Sequence, residues 1–198
     1  MDIKEKLIER WGTGIELNQC WAQKRLNFIS EEARLNILFN PVTDKSQYID
    51  FFKTVNADRL LMFYRQYNGC KLFSNSLCIY GLCNASLDLY QVYDLRRENE
   101  RLKHNLYAGH YLFFGSLGGQ FLFAFKAESN DEKVYCINVD DGYVIKCFKN
   151  FDILFSKLLS GLYQEYDDDG KKIHKNSKYR KIKSLYNTTI ERRFLEEE

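Results

Sequence analysis

The sequence predicts one body that mixes helices with antiparallel strands, and three observations carry that reading. Two β-prone runs surround Ser116-Leu117-Gly118-Gly119 and two more surround Asp140-Asp141-Gly142, and each arrangement is a hairpin signal. Apolar stripes at helical spacing lie on both sides of this strand-rich middle. Finally, 198 residues at 45% apolar and 28% charged suit a single well-buried domain, alone or with an appendage. Aromatics reach 16% against a single proline, so rigid bulk fills the core and turns fall to Gly, Asn and Asp.

Taken in order, Asp2 is placed to cap a short helix through Arg10, and Ser30, with Glu31 and Glu32 behind it, a second through Phe39. Pro41 breaks the chain, after which Asp44 starts Lys45 to Thr54, whose Tyr48, Ile49, Phe51 and Phe52 give a broad apolar face. Asn56 or Asp58 then caps Arg59 to Tyr67, with Leu60, Leu61, Phe63, Tyr64 and Tyr67 at helical spacing and Asn68-Gly69 as the stop. Beyond it the period shortens, and Lys71 to Phe73 and Leu77 to Leu82 read as strands. Helix returns over part of Asp88 to Leu106, with Leu95, Leu102 and Leu106 on one face and charges on the others. Hairpins over Tyr111 to Phe125 and Val134 to Phe148 follow. Asn150 caps the last compact element, through Tyr166, where Phe151, Leu154, Phe155, Leu158, Leu159 and Leu162 form a stripe that needs covering.

Several function classes lose ground at once. Net charge is only +2, which excludes a strong global pull toward nucleic acid or anionic membrane. From Leu106 to Phe125 no Asp, Glu, Lys or Arg occurs, about a membrane span in length, but His110, Ser116, Gln120 and the central glycines favour a hairpin. MDIKEKLIERWG has no apolar run of signal-peptide length, so a cytoplasmic location is expected and the six cysteines read as reduced core thiols. No metal or other cofactor is expected: Cys78 and Cys83 have four residues between them, His104 and His110 have five, and there is no Cys-x-x-Cys. Glu165, Asp167, Asp169 and Gly170 imitate the start of an EF-hand loop, yet Asn176 stands where a bidentate Glu is wanted. Gly115 to Gly119 leads into a strand and has no Gly-Lys-Ser/Thr after it, so it is a turn and not a phosphate loop. No local nucleophile signature is present, and no catalytic residue is assigned.

Two surfaces compete for a partner. The stretch Lys171 to Lys183 interleaves Tyr179 with Lys and Arg, which offers phosphates and an unpaired base something to bind, although flanking acids offset its charge. The helix within Asp88 to Leu106 brings Arg96, Arg97, Glu98, Glu100 and Arg101 beside Tyr90 and Tyr93, and Tyr and Arg anchor protein interfaces disproportionately. Those seven residues are the candidate partner-binding set.

The order of RLLMFYRQYNG (Arg59 to Gly69), CIYGL, YLFFGSLGGQFLFAF and KVYCINVDDGYVIKCFKNFDILFSKLL resembles the SMI1/KNR4 (SUKH) superfamily from about Asp58 to Tyr166. Tyr67-Asn68-Gly69, Phe114-Gly115, Gly118-Gly119, Val134 to Gly142 and Phe148 to Phe155 stand at that family's stations. The Leu-Pro usual before its first helix is replaced by Asn56-Ala57-Asp58. The resemblance implies an α+β fold, an antiparallel sheet of about four to six strands flanked by helices. With it goes a division into an N-terminal helical extension (1–55) packed on the core, an SMI1/KNR4-like domain (56–166) and a charged C-terminal extension (167–198). It further implies a non-catalytic binding module, most often an immunity protein that neutralises a polymorphic or contact-dependent toxin. A regulatory scaffold recruiting cellular enzymes, or a nucleic-acid-associated protein using Lys171 to Lys183, are the alternatives.

Overall fold

A computed structural model describes residues 3–11, 38–41, 46–73, 76–82, 93–102 and 110–168. Its elements are α1 (Ile3–Trp11), β1 (Leu38–Pro41), α2 (Ser46–Phe51), α3 (Asp58–Tyr64), β2 (Tyr67–Leu72), β3 (Leu77–Ile79), α4 (Leu95–Leu102), β4 (Tyr111–Leu117), β5 (Phe121–Lys126), β6 (Val134–Asn138), β7 (Val144–Phe148) and α5 (Phe151–Tyr163). All seven strands form one sheet in chain order, each antiparallel to the next. The α+β class and the flanking helices therefore hold, and the sheet has more strands than the expected four to six.

The extra strand, β1, and the lengthening of β2 come from two stretches read as helix. Phe39, expected at a helix end, lies in β1, where it is buried with its ring 4.7 Å from that of Tyr67. Pro41 ends this edge strand, where a residue without an N–H does no harm to the ladder. The helix expected to run to Tyr67 stops at Tyr64, closed by Arg65 N–H to Leu61 O and Gln66 N–H to Phe63 O at 3.0 Å each. Asn68-Gly69 is thus no helix stop but the middle of β2. Nor do Asn56 or Asp58 cap α3: the cap position is Ala57, without a side-chain bond. Asn150 does cap α5, its Oδ1 accepting the Ile153 N–H at 3.0 Å.

Successive residues of a strand point to opposite faces, so the register defines two surfaces. Cys70, Ile79, Gly115, Phe123 and Cys136 share one, and Lys71, Cys78 and Ser116 the other. The first is the aromatic core: Phe125 meets Phe52, just after α2, and Phe114 meets Phe125 and Phe151. Phe63 of α3 lies 5.7 Å from both Phe151 and Phe155 of α5. The α5 stripe Phe151, Leu154, Phe155, Leu158, Leu159 and Leu162 is buried throughout, as its periodicity requires. The hairpin between β4 and β5 turns through Gly118 and Gly119 at φ of 59° and 70°, a left-handed conformation that Gly adopts freely.

At the other end of α5, Arg10 of α1 fastens the two helices. Its guanidinium donates to Tyr163 O and to Tyr166 O (3.0 Å), lies 4.2 Å from the Tyr163 ring centroid, and pairs with Asp168 at 3.1 Å. A cation is well placed there, because the carbonyls at a helix C-terminus carry partial negative charge. Among the described residues no helix is long and apolar enough to cross a membrane. The segment read as a hairpin instead of a membrane span supplies β4 and β5.

Candidate functional site

The foundation of the α4 face is a buried amide. Asn68 of β2 accepts the Leu82 N–H at 2.8 Å, donates to Leu82 O at 3.0 Å, and also accepts the Tyr48 hydroxyl proton. The same Tyr48 oxygen takes the Leu82 N–H at 3.0 Å, and its ring stacks on Tyr64 at 4.0 Å. Leu82 is thereby fixed, and its neighbour Gly81 anchors the start of α4: Gly81 N–H donates to Tyr93 O (2.9 Å) and Leu95 N–H to Gly81 O (2.6 Å).

Helix α4 starts at Leu95 because Asp94 caps it, its Oδ1 accepting the Arg97 N–H at 2.8 Å. Leu95 and Leu102 are buried. Between them Asn99 clamps the helix to β4. Its Nδ2 donates to Phe113 O (2.7 Å) and Leu95 O (2.8 Å), while its Oδ1 accepts the Phe113 N–H (2.9 Å). The clamp takes β4 just beyond the end of its pairing with β3, whose last register pair is Ile79 with Gly115. Gly115 is needed there, since a Cβ would lie 2.6 Å from Cys78 O.

Of the seven candidate residues, six are described, and Tyr90 lies outside the described residues. Arg96, Arg97, Glu100 and Arg101 are exposed along the outside of α4. Glu98 is only 17% exposed and receives Arg101 Nε at 3.0 Å and Nη2 at 2.8 Å. Tyr93, 42% exposed, has Lys71 Nζ 4.5 Å from its ring centroid and Tyr80 edge-on at 6.0 Å. Burial raises the Tyr93 phenol above its ordinary value, helped by Cys78 and Glu98. Lys71, only 6% exposed, and Asn99 are the residues the sequence reading missed. Asp94 carried a legible signal, an acid directly before the buried Leu95, but the clamp of Asn99 on Phe113 spans 14 residues and has no local trace.

The ionisable interior leans away from reactivity. Burial pushes the Cys78 thiol up to about 12, against the opposing pull of Lys71 and a Ser116 hydrogen bond, and pushes Cys136 up to about 12 as well. Cys70 and Tyr64 are raised well above their ordinary values by the same cause. A thiolate is the nucleophilic form of cysteine, so these groups are held in the unreactive state at neutral pH. Cys70, Cys78, Cys136 and Cys147 are free thiols, whereas Cys20 and Cys83 lie outside the described residues. A cleft of about 560 Å³ separates α1 from α5, floored by Leu7, Phe155, Leu159 and Tyr163 and rimmed by Lys6 and Glu9. Among the described residues no cluster of His, Cys, Asp or Glu is arranged to hold a metal ion. Most of the pseudo-EF-hand run and all of Lys171 to Lys183 lie outside the described residues.

The model of the SMI1 / KNR4 family (SUKH-1) matches residues 47–157, more than half of the chain. The match runs from within α2 to within α5 and so contains β2 to β7 and α4. Neither a curated protein nor a solved structure matches the chain.

Proposed function

The chain belongs to the SMI1/KNR4 (SUKH-1) family, and from that premise we propose that it is a non-catalytic binding module, an immunity protein that neutralises a cognate polymorphic or contact-dependent toxin domain. The observation that carries the reading is the family match over the sheet and the helices around it. Two features of the molecule support it. The strongly shifted thiols and phenols are raised by burial, which suits packing and not nucleophilic work. The outside of α4 offers Arg96, Arg97, Glu100 and Arg101, with Tyr93 before the helix and Glu98 at its edge, and a helix backbone already held from beneath by Asn99 loses little freedom on binding.

The mechanism is occlusion. An eight-residue helix is about 12 Å long, whereas a stable interface covers about 800 Å² on each partner. Helix α4 is then the centre of the contact, with flanking chain completing it. The partner is a protein, and the site requires no cofactor. The test is co-expression in a sensitive cell of the full chain with candidate toxin domains, taken first from any toxin gene found adjacent to its own. Protection together with a co-eluting complex is the expected result. Unprotected cells and separate elution would defeat the proposal.

A further inference from the structure

We propose that the α4 face reads a carboxylate: Arg97, on the helix that follows a Tyr93 ring held over Lys71, receives an acidic side chain of the partner protein. The inference rests on the reading of α4 as the binding face and adds the chemistry of what it binds. Residues 94–102 contain three acids and three arginines, but the two signs are placed differently. Asp94 is engaged as the helix cap and Glu98 is mostly covered and tied to Arg101. The arginines stand outside.

At 100° per residue the outer arc of α4 reads Arg96, Glu100, Arg97, Arg101. Arg97 and Arg101 are thus neighbours of like charge one turn apart, an arrangement that weakens an isolated helix. Glu98 offsets Arg101. Arg97 makes its described hydrogen bond through the backbone N–H alone, which leaves its planar guanidinium available for a carboxylate fork. Tyr93 adds a ring whose position is set by Lys71 and Tyr80, and Lys71 brings positive charge beneath it. Asn99 and Gly81 hold the whole platform still, so that little ordering cost falls on the complex.

A protein partner fits this arc better than a nucleic acid. Glu100 stands between Arg96 and Arg97 on the arc, and a run of phosphates would meet it with repulsion. A protein surface is able to alternate signs, with an acid opposite Arg97 and a base opposite Glu100.

The test is an amide-shift titration of the full chain with three probes: blocked tetraglutamate, blocked tetralysine and the hexanucleotide of dT. Tetraglutamate is expected to shift the amides of residues 93–101 saturably, and Arg97→Ala to weaken that binding about threefold to fivefold, the upper part of the range of an exposed ion pair. Arg97→Lys should restore part of the affinity. Arg59→Ala, which removes an exposed ion pair with Asp152 between α3 and α5, should leave it unchanged. No saturable shift on α4, an equal response to tetralysine, tighter binding of the oligonucleotide, or an indifferent Arg97→Ala would each overturn the inference. The two readings fail separately. A cognate toxin that binds wild type, Arg97→Ala and Tyr93→Ala alike removes this inference and leaves the proposed function standing. A positive titration with no toxin partner does the reverse.

Discussion

Replacing Asn68 with Ala should unfasten the α4 platform from below, and its cost follows from the bonds lost. The buried amide makes three hydrogen bonds: to Leu82 N–H, to Leu82 O and to the Tyr48 hydroxyl. Leu82 N–H keeps a second acceptor in the Tyr48 oxygen at 3.0 Å, so it stays satisfied. Leu82 O and the Tyr48 hydroxyl proton lose the amide. At about 1 kcal/mol for the bond that the still-satisfied Leu82 N–H gives up and 1 to 3 kcal/mol for each of the two stranded buried groups, the variant should lose about 3 to 7 kcal/mol. For a chain of this size that is a fall in Tm of about 6 to 28 °C. Tyr48→Phe leaves the two Asn68–Leu82 bonds in place and should cost only about 1 to 2 kcal/mol. The double variant should depart from additivity by about 1 kcal/mol, since both residues serve the same Leu82 N–H. Urea unfolding followed by circular dichroism measures all three, and amide exchange at Gly81 and Leu95 should quicken in Asn68→Ala before global unfolding. A loss under about 1 kcal/mol, strict additivity, or unchanged exchange at Leu95 would refute the reasoning.

Other perturbations test other joints. Gly115→Ala places a Cβ 2.6 Å from the Cys78 carbonyl oxygen, a backbone atom that cannot yield, and should cost about 2 to 3 kcal/mol in the same urea assay; a neutral result would contradict the packing of β3 on β4. Stability should fall in alkali. Burial raises Cys136 from 9.0 to about 12 and Cys78 likewise, so their contribution is complete below about pH 9 and is lost as pH climbs toward 12, where the unfolded chain ionises first. Urea midpoints from pH 8 to 11 check the sign, and a flat or rising trend would contradict it. Arg10→Ala removes the bonds to Tyr163 O and Tyr166 O and should cost about 1 to 2 kcal/mol, with faster amide exchange concentrated in α1; unchanged exchange there would show that the guanidinium does not fasten the helix.

Long-period and strongly punctuated elements were legible in the sequence, and short ones were not. Helix α5 declares itself by six buried apolar residues at helical spacing behind a capping Asn150. The two hairpins declare themselves by Gly-Gly and Asp-Gly turns. Tyr67 to Leu72 misled because it is buried at every position and follows a helix directly, so neither period distinguishes it. Its Asn68-Gly69 has the look of a helix end, yet the amide is needed for Leu82, a partner 14 residues away that no local pattern reveals. Phe39 reads equally well on a helix or a strand, and only its meeting with Tyr67 across β1 and β2 decides the matter. On the candidate face, the Leu95 and Leu102 stripe and the charged outside were readable. Lys71 was not, because a lysine beneath a tyrosine ring looks in sequence like any strand lysine.

On the proposed function, the outside of α4, and not an interior reaction centre, performs the protein's task. The decisive measurement is calorimetric titration of a toxin domain against which the chain protects cells into wild type and into the Tyr93→Ala, Arg97→Ala double variant, with a thermal melt as control for folding. A loss of affinity of at least tenfold is expected, the weight of anchoring Tyr and Arg residues, in a variant that still melts cooperatively. Equal affinity in a correctly folded variant would contradict it.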